Sequence, residues 1–208
     1  MAETMLDSSA LGVGKGREGG YACVAPAGTD PSAYEDMTKT LAELCDTSGS
    51  VLKSLGYIGE DGITITTDTD TDDMTDWGGS TVASPMTSYS ESVQVPFLES
   101  RETVLKVVFG DDNVTTNARG ALVVRHNKNF TGAHVFVFDS IVSDTKVKRT
   151  IIPVGVINER DDVQYNNSDL VTYTPTIKAL SASVYDGDSI REFIYDTATG
   201  KTTAAKSA

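Results

Sequence analysis

The chain has 208 residues, enough for one domain with a real core but not comfortably two. With 39% hydrophobic and 23% charged residues it reads as globular rather than disordered. A formal net charge of −13 disfavours tight gripping of nucleic-acid phosphates, and no apolar run reaches the roughly 20 residues of a membrane span.

The charge is uneven. Residues 1–53 hold eight acids and four bases, 54–100 hold nine acids and no Lys or Arg, and 101–208 hold thirteen of each. The acidity therefore belongs to the first half. Thr and Ser are abundant and the apolar residues favour Val and Ile, types that suit a pleated surface, so a mainly β fold is expected.

Residues 1–18 are glycine-rich and poor in apolar side chains, which predicts a flexible arm. Residues 1–20 lack a basic stretch followed by an apolar one, so no secretion signal is expected there. The stretch 19–26 is a short strand candidate and 27–31 a turn. Asp30 before Pro31 has the form of an N-cap with proline in the first helical turn. Tyr34, Met37, Leu41, Leu44 and Cys45 then recur every three to four residues and predict an amphipathic helix near 31–45. Cys23 and Cys45, the two cysteines, read as reduced and partly buried thiols rather than a disulfide framework or a zinc site.

Asp61-Gly62 between β-prone runs marks a turn leading into a strand at 63–67. Residues 68–86 carry Asp, Thr, Gly and Ser without an apolar period and read as a long hairpin loop. From 87 to 98 alternation returns. Tyr89, Val93, Val95 and Phe97 share one face, while Ser88, Ser90, Ser92 and Gln94 share a small, polar, uncharged one, with Glu91 interrupting the apolar side. Ser100 is placed to cap a helix with Val104, Leu105, Val108 and Phe109 as its stripe, and Gly110 to end it.

The remainder reads as strands. The stretches 120–126 and 133–142 flank a polar turn and are expected to pair. Val135, Phe136, Val137 and Phe138 make both faces apolar, so the second of these should be central. Pro153 and Gly155 within 147–157 predict a bulge or an edge position. A long strand at 173–185, with a register change between Ala179 and Leu180, should turn at Asp186-Gly187 into 190–195 as a hairpin. The main domain is expected over 19–196, followed by a coreless tail at 197–208.

No constellation of reactive groups stands out. Asp68, Asp70 and Asp72 have the spacing of a calcium loop, but Asp73 stands where glycine is needed and Gly79 where glutamate is needed. The glycines at 12, 14 and 16 have no preceding strand to make a phosphate cradle. His126 and His134 lack a nominated nucleophile and orienting group. No enzyme activity, cofactor or metal is expected.

Four landmarks, in order, are residues 20–29 (GYACVAPAGT), 55–62 (LGYIGEDG), 76–79 (DWGG) and 109–114 (FGDDNV), the last preceded by a helix containing TVLK. Together they resemble the major tail tube proteins of long-tailed bacteriophages (siphophages), most specifically over about residues 19–115. Phe109 stands where that family often has Tyr, and Gly59 where it often has Ser.

The resemblance implies two packed antiparallel sheets in a sandwich or partly closed barrel, with one flanking helix, a long hairpin loop and extended terminal arms. It implies six copies per ring, rings stacked head to tail around a continuous inner barrel, and a conduit for DNA ejection. It also implies tape-measure, tail-tip and tail-terminator proteins as partners, transient passage of double-stranded DNA, and assembly in the host cytoplasm without a membrane anchor. On this view Thr64, Thr66, Ser88, Ser90, Ser92 and Gln94 are candidates to line the bore. Asp68, Asp70, Asp72, Asp73, Asp76 and Trp77 are candidates for contact between rings. Lys146, Lys148 and Arg149 are candidates for the basic region that receives the acidic loop. The competing readings are a head decoration or tail-tip protein of the same virion, or a carbohydrate-binding adhesin. The adhesin is disfavoured by an aromatic content of 7% with a single Trp.

Overall fold

The computed structural model describes residues 12, 14–17, 22–45, 47–129 and 132–204, the last four without their side chains. Among these residues lie fourteen strands. In chain order they are β1 (Lys15–Gly16), β2 (Ala22–Pro26), β3 (Lys53–Ser54), β4 (Thr64–Thr71), β5 (Met74–Thr75), β6 (Thr81–Ala83) and β7 (Met86–Gln94). Then come β8 (Val114–Thr116), β9 (Leu122–Val124), β10 (Ala133–Ser143), β11 (Lys146–Arg160), β12 (Pro175–Ala179), β13 (Arg191–Asp196) and β14 (Lys201–Ala204). Two α-helices, α1 (Leu41–Leu44) and α2 (Glu102–Phe109), complete the elements used below.

The fold is mainly β, as the composition predicts. Ten strands form one antiparallel sheet in the order β3-β2-β10-β11-β12-β7-β4, with β1 beside β10 and with β13 and β14 branching from β11. Two small sheets, β5-β6 and β8-β9, stand apart from it, and the sheet does not close into a barrel.

The fork in the sheet lies at Pro153. On one edge, β11 pairs with β13 up to Ile151 and with β12 from Gly155 onward. Proline has no N–H to give a ladder, so it fits the gap where one partner strand ends and the next begins. On the other edge the β10 register slips between His134 and Phe136, opposite the same residues. The expected bulge is therefore present, but in the most central strand of the sheet. A Cβ on Gly155 would stand 2.7 Å from Ile177 and Phe136 side-chain atoms, which is why no side chain is carried there.

Both faces of the middle strands are buried, as the run from Val135 to Phe138 predicts. Ala22, Val24, Phe136, Phe138, Ile152 and Ile177 point to one side, beneath α2 and Phe97. Cys23, Ala25, Val135, Val137, Ile151 and Phe193 point to the other, beneath Tyr34, Met37, Leu41 and Leu52. Each large side chain buried this way contributes about 1.5–3 kcal/mol.

Several expectations need correction. The single helix near 31–45 is two short pieces. Asp30 caps a 3-10 turn at Pro31–Tyr34, and Thr40 with Glu43 forms a capping box that restarts the chain as α1. Between them Asp36 accepts hydrogen bonds from the Thr38 backbone and hydroxyl, a local alternative to helix. Tyr34, Met37, Leu41 and Cys45 are buried regardless. Arg101, not Ser100, occupies the N-cap of α2, because Ser100 bonds the Tyr173 hydroxyl at 3.0 Å. Gly110 ends α2 with φ at 95°, as expected.

Cys23 and Cys45 are joined as a disulfide. The end of α1 settles over the inward face of β2, a meeting that a separation of 22 residues in sequence does not reveal. Strand β9 pairs with β8 rather than with β10. The strand expected at 173–185 stops at Ala179, and Asp186, with φ of 56°, turns the chain so that β12 and β13 lie end to end along β11 instead of pairing. Residues 201–204 of the expected tail form β14 against β13. Of the expected N-terminal arm, Lys15 and Gly16 pair with Ile141 and Ser140; residues 1–11, 13 and 18 lie outside the described residues.

Candidate assembly surface

The expected loop at 68–86 is a continuation of strand. Thr64–Thr71 pairs antiparallel with Met86–Gln94, then Met74–Thr75 with Thr81–Ala83, and Asp76 closes the tip by accepting from the Ser80 N–H at 2.8 Å. Every residue from 64 to 89 is exposed. That explains why no apolar period marks the segment. Both faces of this arm meet solvent, and Thr supplies β propensity without burial. Only 91–94 of β7 gains a second neighbour, β12. Beyond it runs about ten residues of two-stranded ribbon per strand, about 30 Å at strand rise.

At the arm's root the six bore candidates come together. Thr64 lies opposite Gln94 and Thr66 opposite Ser92. Directly opposed residues share a face, and that face continues outward through Asp68 opposite Ser90 and Asp70 opposite Ser88. It continues inward through Thr176 and Lys178 of β12, then Glu159 and Val156 of β11. Neither hydrophobic cluster includes any of these side chains. Four strands thus present an uncovered face of small hydroxyls and amides, with carboxylates at both margins and Lys178 within it. Asp68 and Asp70 belong to this face, and Asp72, Asp73, Asp76 and Trp77 to the outer arm.

The opposite face of the arm's root carries Ile65, Val93, Thr67, Glu91, Thr69 and Tyr89. It borders a groove of about 1220 Å³ completed by Leu180, Arg191 and Phe193. The Glu91 carboxylate, hydrogen-bonded to the Tyr89 hydroxyl, pushes that phenol's pKa up.

The proposed basic acceptor is not assembled as expected. Arg149 is completely buried, and its side chain is saturated within the subunit by Asp139 and by the carbonyls of Tyr34, Asp36 and Lys39. It is unavailable to a partner. Lys148 pairs with Glu192 at 2.7 Å, and Lys146 lies opposite Asp196. Strand alternation places Arg149 inward with Val147 and Ile151, whereas a charge count along the chain treats it as surface.

The exposed basic stretch is elsewhere. Residues 113–129 contain Arg119, Arg125 and Lys128 and no acid. They form the β8-β9 hairpin, exposed at every position from 115 to 123. An acid-free run was the available signal for it.

The two histidines do not meet. His126 lies against the Phe109 ring at 4.6 Å, and His134 Nε2 is 3.2 Å from Asp111. Among the described residues no hydroxyl or thiol is hydrogen-bonded to either ring, and no three His, Cys, Asp or Glu side chains converge as a metal site.

The family model for phage tail tube proteins matches residues 18–205, which takes in the forked sheet apart from β1, together with α2 and both exposed hairpins. The chain belongs to the phage tail tube protein family. No curated protein matches it. As a tail tube protein it is a structural, β-rich component of the virion tail. The tail tube match extends through the second half of the chain, where the sequence landmarks themselves are weakest. It selects the tube over a head decoration or an adhesin.

Proposed function

We propose that this tail tube protein polymerises as stacked hexameric rings, and that the uncovered face of β11, β12, β7 and β4 lines the bore through which double-stranded DNA is ejected. The observation that carries this reading is the combination, on one four-strand unit, of a polar face with no cover and a free edge at β4. A free edge offers unpaired N–H and C=O groups, and sheet continuation between copies satisfies them while closing a ring. A head-to-tail contact along the axis repeats without closing and gives a tube.

Charge supports the same assignment. Six copies at −13 carry −78 per ring. Thr64, Thr66, Ser92 and Gln94 offer no cation to phosphate, and Asp68, Asp70 and Glu159, which repel it, outnumber Lys178 on the same face. At a Debye length of about 8 Å this repulsion acts close to the wall and keeps DNA from sticking. Catalysis has no role in this reading. The partners are further copies of the chain, with tape-measure, tail-tip and tail-terminator proteins at the tube's axis and ends, and assembly takes place in the host cytoplasm.

Negative-stain electron microscopy of the concentrated, purified protein tests this. Long tubes of uniform bore are expected. A preparation that stays monomeric at all concentrations and salt conditions would overturn the reading.

A further inference from the structure

Two hairpins stand out from the body, and their charges are opposite. The long arm, residues 64–90, carries Asp68, Asp70, Asp72, Asp73 and Asp76 and no base. The short hairpin and its flanks, residues 113–129, carry Arg119, Arg125 and Lys128 and no acid. None of these eight groups forms an ion pair with a described residue.

Each hairpin also exposes apolar surface. Trp77 at the arm's tip is fully exposed, with Met74 and Val82 close by in sequence at 56% and 65%, and Leu122 and Val123 of β9 are exposed at 37% each. A two-stranded ribbon with both faces in water is at best marginally stable alone. The arm and the short hairpin of one subunit do not cover each other, because 64–89 and 115–123 are exposed at every position.

We infer that the arm of one subunit docks on the β8-β9 hairpin of a second copy, with Trp77 against Leu122 and Val123 and the arm's carboxylates against Arg119 and Lys128. This rests on the tube reading above and replaces Lys146, Lys148 and Arg149 as the acceptor. Three observations select a second copy as the occupant. Within a chain at −13, residues 113–129 form an acid-free run with three bases, which attracts an acidic arm. The arm reaches about 30 Å past β12, about twice the radius of gyration of about 16 Å for a body of this size, so its tip stands clear of its own body. Finally, a contact between two different surfaces of identical chains is the kind that propagates.

The test uses the full chain and sedimentation of tubes. Arg119→Glu with Lys128→Glu should raise the concentration needed for assembly by at least about tenfold, because like charges are then juxtaposed. Asp72→Lys with Asp73→Lys should do the same. Combining all four changes should recover assembly to within about threefold of the parent. Arg125 is left in place because it donates to the Asp112 carbonyl at the hairpin's root.

Parent-like assembly of the first variant, or no recovery in the combination, overturns this pairing while leaving the tube reading intact. Failure of the parent chain to form tubes removes both. Should the charge variants lose their fold by circular dichroism, Trp77→Cys with Val123→Cys in one chain decides. Mild oxidation of its tubes should give a ladder of covalent oligomers, and intact tubes without a ladder contradict the pairing. Cys23 and Cys45 are bonded to each other, so no native thiol competes.

Discussion

Asp139 and Arg149 face each other across β10 and β11, and the guanidinium holds both carboxylate oxygens, at 2.6 and 2.8 Å, with both side chains fully buried. The remaining donors of Arg149 reach the carbonyls of Tyr34, Asp36 and Lys39 at 2.8 to 3.1 Å. One side chain of the central sheet thereby ties down the irregular segment that covers that face. Arg17, at 3.4 Å from Asp139, adds a second cation from the N-terminal side.

Arg149→Ala should destabilise the monomer by about 3–5 kcal/mol, because a buried carboxylate loses its partner and three carbonyls lose theirs. Chemical denaturation of the unassembled protein reads this directly. Arg149→Lys should fall between parent and Ala, since an ammonium cannot span the carboxylate fork and the three carbonyls together. A change confined to assembly, with the monomer unaffected, would contradict the placement.

The same cover is stapled by Cys23 and Cys45. Closing a loop of this length stabilises by about 3 kcal/mol on a chain-entropy view. Cys45→Ser should lower the denaturation midpoint in oxidising buffer by a matching amount, and the parent in reductant should behave like the variant. On the proposed assembly in a reducing cytoplasm the thiols remain open while tubes form, so the staple is expected to add durability to the finished tube rather than to be needed for building it. Thiol labelling of protein from lysates and from released tubes distinguishes the two states.

Acid should loosen the cover from another direction. Hydrogen bonds from Ser32 to Asp30, from Thr38 to Asp36 and from Thr40 to Glu43 hold these three carboxyls below their ordinary pKa values. A depressed folded-state pKa means stability that is fully present above the unfolded value and lost as pH falls through the folded one. Hydrogen exchange across 30–45 should therefore quicken below about pH 4, while exchange in β10 and β11 stays slow. Equal loss of protection in both regions would contradict this.

Deleting residues 69–85 should leave a folded monomer with the parent's circular dichroism outside the lost strands, because no core side chain lies in that segment. Tube formation should be abolished. Added salt should slow assembly of the parent, since the exposed charges on the arm are screened within about a Debye length. Normal tubes from the deletion would remove the arm from the assembly account.

The two apolar faces of β10 were legible because Val135 to Phe138 leave no polar side to turn outward. The fork at Pro153 was half legible. Proline announced a bulge, but only the pairing of β13 and β12 with one strand shows that the bulge is a junction. The polar face was legible as alternating Ser and Gln along β7 and as Thr along β4, and register brings these residues together on one side of the sheet. The arm's strands were hidden because a ribbon wet on both sides has no hydrophobic period to read. Arg149 was misplaced for the converse reason. A cation near two lysines looks like surface until the strand's phase turns it inward, where Asp139 was waiting ten residues earlier in the chain.

Helical reconstruction of assembled tubes by electron cryo-microscopy tests the central claim most directly. The account predicts that Thr64, Thr66, Ser92 and Gln94 face the bore and that β4 continues the sheet of an adjacent subunit. Tubes in which that face points outward, or in which the edge of β4 meets only water, would contradict it.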